Sequence, residues 1–174
     1  MWKKPVRNLG FAWGIGGVVL LLLFAIYRLL PLALDLVGTN MSTMHWLSLV
    51  FSILYMGYAE GYKGFHLAFA PRVIVRANYL KQNPRLTHVL LAPLFCMGFI
   101  YATTRRRLSS IALTCMIIVF IMIARLLPQP WRGILDAGVV VGLSLGIASI
   151  IYFLIALYNR PSLITVSAEI PAEA

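Results

Sequence analysis

The chain has 174 residues, of which 61% are hydrophobic and 11% charged, and carries a formal net charge of +10. That ratio supplies too little polar surface for a water-soluble domain and makes lipid the solvent for most of the chain. The basic balance does not point to nucleic acid: the cations fall between long apolar runs, and no RNA- or DNA-binding motif is present.

The opening stretch, MWKKPVRNLGFAWGIGGVVLLLLFAIY, starts like a signal peptide, but its apolar run is too long and no small-residue cleavage site follows. An uncleaved first span from Leu9 to Leu30 is expected. Three more segments reach the ~20 apolar residues that a crossing helix needs: Thr43 to Phe65, Leu108 to Leu127 and Ile134 to Tyr158. Residues 86–104, LTHVLLAPLFCMGFIYATT, are apolar over a shorter length and carry Pro93 in the middle. The predicted fold is therefore all-α and polytopic, with four transmembrane helices plus a re-entrant or fifth short helix at 86–104. Residues 1–160 form one membrane domain, and 161–174 a short polar, mobile tail.

Topology follows from the cations, because cytoplasmic loops carry the excess. Lys3, Lys4 and Arg7 place the N-terminus inside, and Lys63, Arg72, Arg76, Lys81 and Arg85 place the loop after the second span there too. If 86–104 crossed, Arg105, Arg106 and Arg107 would be translocated. If it dips in and returns, only Arg125 and Arg132 lie outside, against four cations in the five-span alternative. Charge favours the hairpin, which other helices must then shield, since irregular backbone at membrane depth needs protein or a watery cavity around it. Trp46 and Trp131 then fall at the outer interface, Trp2 and Trp13 at the inner one.

The second span ends in YMGYAEGYKGF, residues 55–65. At helical spacing Gly57, Glu60, Gly61 and Gly64 share a face, with Gly57 and Gly61 forming a GxxxG that admits another helix backbone. Tyr58, Tyr62, Phe65 and Phe69 line the neighbouring stripe. Pro71 is expected to end this helix, which puts Glu60 near the cytoplasmic boundary. There it either pairs with Lys63 or an arginine of the next loop, or binds a proton or cation for transport. Beyond it, PRVIVRANYLKQNPR brings Arg72, Arg76 and Tyr79 to one side of a helix. With Arg105, Arg106 and Arg107 they are candidates for anionic lipid headgroups at the cytoplasmic face, beside a simple role in anchoring topology.

YRLLPLALD (27–35) is echoed by ARLLPQPWRGILD (124–136). Each reads as a helix end presenting an arginine, Arg28 or Arg125, with Asp35 or Asp136 as countercharge. Outer Arg–Asp pairs explain the echo without invoking a duplication. The copies would form a parallel repeat with the hairpin and an inverted one with five spans.

Metal and nucleophile chemistry find little support. His45, His66 and His88 lie on separate segments, Cys96 and Cys115 sit singly in apolar runs, and no GxSxG or paired carboxylates occur. GIGG (14–17) lies within a span and is no nucleotide fingerprint. No cofactor or metal is expected. Three functional classes remain. The first is a non-enzymatic accessory, assembly or lipid-interacting subunit of a bacterial plasma (inner) membrane, associating with itself or with a larger complex. The second is a small oligomeric transporter or channel using Glu60. The third is a membrane-embedded enzyme acting on a phosphate-bearing lipid.

Overall fold

The computed structural model describes residues 3–160, 164 and 166–170, with side chains from residue 7 onward. Trp2 lies outside the described residues, as do the side chains of Lys3 and Lys4. The described chain is helical throughout: α1 (Lys3–Leu34), a 3-10 turn (Asp35–Gly38), α2 (Thr43–Met56), a π-helical segment (Gly57–Phe69), α3 (Ala70–Gln82), α4 (Leu86–Leu90), α5 (Ala92–Met97), α6 (Thr104–Leu126) and α7 (Trp131–Asn159).

Three helical stretches, Arg7–Gly38, Thr104–Leu126 and Trp131–Asn159, are long and apolar enough to cross a membrane. Even the shortest, 23 residues, reaches about 35 Å at 1.5 Å per residue, against a hydrocarbon core of about 30 Å. The remaining expected span, 43–65, is not one α-helix. Its first 14 residues are α2, about 21 Å long, and the rest is π-helical. Nor does Pro71 end it: the helical path runs unbroken from Thr43 to Gln82. The Ala70 N–H reaches back to the Phe65 carbonyl in the π pattern, and Pro71 occupies the first turn of α3, where a missing N–H costs nothing.

The core is built around α3, the segment that its charges had marked as a cytoplasmic loop. Val73, Ile74, Ala77 and Leu80 are fully buried, packed with Ile15, Val18 and Leu22 of α1, Phe95 and Cys96 of α5, and Ile150 and Phe153 of α7. The apolar positions of RVIVRANYL recur at one helix face, which is what buries it.

Residues 86–104 form a hairpin. Helices α4 and α5 have 5 and 6 residues, at most about 9 Å each, and cannot cross. Gly98 turns the chain back in the left-handed conformation, φ +86°, where a Cβ would also lie 2.9 Å from Arg106 Nε. Entry and exit meet: the Arg85 guanidinium sits 5.3 Å over the Tyr101 ring, and His88 lies 4.9 Å from that ring. The hairpin packs on the N-terminal half of α1, where Gly10 faces Val89, Gly14 faces Cys96 and Gly17 faces Pro93.

The basic residues consequently share one end. Arg7 Nε donates to the Lys81 carbonyl at 2.8 Å, and Lys81 Nζ lies over Phe11 and Tyr158. At the other end Gln129 Nε2 donates to the Leu32 carbonyl and His45 meets Trp131 edge-on.

The RLLP echo does not survive as structure. Pro31 lies inside α1, whereas the second copy ends α6, with Leu127 extended ahead of Pro128. The residue before a proline avoids the α region, and a second proline two positions on makes resumption harder still.

Candidate functional site

Two groups of residues stand out: the seam between the π-helical segment and α7, and the arginines around the hairpin. Glycine makes the seam. A Cβ at Gly138 would collide with Ser52 Oγ, one at Gly142 would lie 3.1 Å from Glu60 Oε2, and one at Gly146 would lie 2.7 Å from the Phe65 ring. These three positions, four residues apart, clear a groove along α7 into which the partner helix settles, as small residues allow in membranes. Polar groups seal it. Ser52 Oγ donates to the Ile134 carbonyl at 3.0 Å, and His66 Nδ1 lies 3.2 Å from Ser149 Oγ.

Glu60 lies in this seam. Gly57, Glu60 and Gly61 meet α7 at Val141, Gly142 and Leu145, as one helical face predicts, but Gly64 is exposed and off the seam. The 13-residue π winding shifts the phase that a 3.6-residue period extrapolates. Phe65 turns onto Gly146, while Tyr58, Tyr62 and His66 stack in succession. Lys63 does not reach Glu60; its Nζ lies 5.1 Å over the Tyr58 ring. Among the described residues no cation lies within ion-pair distance of the carboxylate. Nor is Glu60 at a helix boundary: Gly142, opposite it, is about 17 Å along a helix of about 44 Å. Long π-helical stretches are rare and gather at functional positions.

The arginines divide. Arg76 is fully buried, 1% exposed. Its Nε donates to the Phe95 carbonyl at 2.6 Å, one terminal nitrogen to Ala168 at 2.6 Å, and the other to Ile100 and Tyr101 at 2.8 and 2.9 Å. The guanidinium also lies 4.5 Å over the Phe95 ring. Burial pushes its pKa down to about 10, so it stays charged at neutral pH. Spent on four carbonyls, Arg76 clamps the returning limb of the hairpin and the C-terminal segment to α3, and is closed to a lipid headgroup. The segment expected to be a mobile tail is held here: Ala168 by Arg76, Glu169 by the Thr103 amide at 3.0 Å, and Ile164 against the core.

Arg72 and Arg106 are different. Their guanidinium groups are near enough to repel, and the Nε of each is buried without a hydrogen-bond partner. Arg106 lies 3.7 Å from the Glu169 carboxylate. Arg105 and Arg107 are exposed, and Tyr79 stacks toward Phe95. The outer Arg–Asp pairs do not form. Asp136 has its ion pair with Arg132, one turn away on α7 at 3.7 Å, while Arg28, Asp35 and Arg125 are exposed and in no ion pair among the described residues. The i, i+4 spacing places Arg132 beside Asp136 without a second element, and the break at Leu127 takes Arg125 off that helix.

His45 caps α2 by accepting from the Ser42 amide, and His88 stacks on Phe95. No group of three or more His, Cys, Asp or Glu that could hold a metal occurs among the described residues. Sequence reasoning missed the His66–Ser149 contact, the Arg76 clamp and Glu169. Each joins positions far apart in the chain, and only the arginine inside an apolar helical face (VIVRANYL) gave a signal.

An all-α architecture with three helices able to cross a bilayer, a glycine-seated seam and a basic end defines a helical membrane protein. Comparison of the chain with protein-family models, curated proteins and solved structures finds no match.

Proposed function

We propose that the protein is a non-enzymatic assembly subunit of a plasma (inner) membrane, with its basic end cytoplasmic and α6 as the surface that receives a second membrane polypeptide. The orientation rests on Arg7, Arg72, Lys81, Arg85 and Arg105–107 sharing one end, against Arg28, Arg125 and Arg132 at the other. The observation that carries the assembly role is α6 itself. It is tied down by Ser110, whose Oγ donates to the Met97 carbonyl, and by buried Ala124, and between them no residue of α6 is buried. A helix that spans yet leaves its own bundle along its middle has its packing still to make, and helix association in membranes rests on such packing. A benzophenone amino acid placed at Met116 or Met122 should, on irradiation in intact membranes, join a discrete second polypeptide. Adducts with lipid alone at both positions refute the assignment.

Glu60 favours a second reading, a proton- or cation-binding carboxylate for transport. A carboxylate at mid-bilayer costs about 2.5–3.5 kcal/mol on insertion scales, which is a reason to keep one only for use. Glu60→Gln should then abolish substrate-coupled proton or cation flux in vesicles at unchanged abundance; flux equal to the wild type removes this reading.

A further inference from the structure

We propose that Arg72 and Arg106 form a binding site for a phosphoryl group, and that the Glu169 carboxylate occupies it from within the chain, so that phosphate and the C-terminal segment compete. Three observations converge. Arg106 is nine-tenths buried, with its side chain 10% exposed, and its Nε has no hydrogen-bond partner. The Nε of Arg72 is likewise buried and unpartnered, and the two cations repel. One carboxylate faces this pair at 3.7 Å, an ion-pair distance too long for a hydrogen bond.

The charges do not balance. Two buried guanidinium groups against one carboxylate leave an excess positive charge, and Arg76 nearby adds another that only carbonyl dipoles offset. A buried charge short of its partner is costly. A phosphoryl group restores the balance with up to two negative charges and three acceptor oxygens, and two planar guanidinium forks are the protein groups best shaped to hold it. Glu169 is a weaker occupant on both counts, with one charge and a looser contact.

Glu169 is also built to leave. Its side chain is 37% exposed. Its backbone sits at φ +49°, a left-handed conformation that a residue with a Cβ adopts at a cost. The rest of the segment has independent anchors, the Ala168 carbonyl on Arg76 and the Glu169 carbonyl on the Thr103 amide. The carboxylate can therefore swing out while the backbone stays. The site lies at the first turn of a membrane-crossing helix, at the basic end of the molecule, where a lipid phosphate and a free phosphate can both arrive.

The test uses the full chain in phosphatidylcholine nanodiscs, with phosphatidic acid as the probe and retained lipid read by native mass spectrometry. Glu169→Gln should tighten retention by about tenfold, and Arg72→Gln or Arg106→Gln should weaken it by about tenfold or more, the scale of one lost charge-assisted hydrogen bond. Arg107→Gln, exposed one residue away, should leave it unchanged. Equal losses at Arg106 and Arg107 would mean diffuse attraction to the basic end and overturn the site. No tightening with Glu169→Gln overturns the competition even if an arginine variant folds poorly. Adding inorganic phosphate distinguishes the source: displacement of the lipid assigns the site to phosphoryl groups in general, and persistence assigns it to a lipid headgroup.

Discussion

Helices α6 and α7 are neighbours in sequence and alike in apolar character, yet they have opposite fates. α7 carries Gly133, Gly138, Gly142 and Gly146 and buries all four; α6 has no glycine and buries only Ser110 and Ala124. In water the greasier helix would be driven inside. In lipid that drive is absent between helices, so close backbone approach decides which helices associate. Small residues every fourth position give α7 a groove, while Met116, Ile117, Val119 and Met122 leave α6 surrounded by bulk on every side.

Three experiments break or sharpen that comparison. The largest effect belongs to Gly146→Leu, which drives a branched side chain into the Phe65 ring and should destabilise the bundle by about 1–3 kcal/mol, the usual range for overpacking. The matched change Ala112→Leu, on exposed α6, should stay within ~0.5 kcal/mol. Thermal unfolding in detergent reads both, and equal losses would remove the distinction. Next is Ser52→Ala, which deletes the bond from α2 to the Ile134 carbonyl and should cost about 0.6–1 kcal/mol. Thr114→Ala removes a bond to Ser110 of its own helix and should cost almost nothing; a larger loss there would show that α6 already packs on something. The smallest effect is expected of Glu60→Gln. With no cation to lose, stability should change by less than ~1 kcal/mol, and a larger drop would reveal a partner that the seam conceals.

Much of the architecture was legible because lipid imposes simple rules. Long apolar runs marked α1, α6 and α7, and the Arg105–Arg107 triplet argued that 86–104 turns back. Gly98 and the meeting of Arg85 with Tyr101 bear that out. Less legible was anything depending on phase or on distant pairing. The face drawn through Gly57, Glu60, Gly61 and Gly64 lost its last member because the helix is wound as π there. The arginines read as one surface group separated into Arg76, sealed among carbonyls, and Arg72 with Arg106, left with donors unspent.

The sequence by itself determined that this chain is helical, lives in lipid, and collects its cations at one end. Hydropathy and charge act residue by residue, so they need no knowledge of neighbours. Only the tertiary structure decided that a basic segment forms the central helix, that α7 and not α6 closes the bundle, and that Glu169 meets Arg106. Those outcomes depend on which backbones can approach and which donors remain unpaired, quantities that exist only once distant segments are brought together.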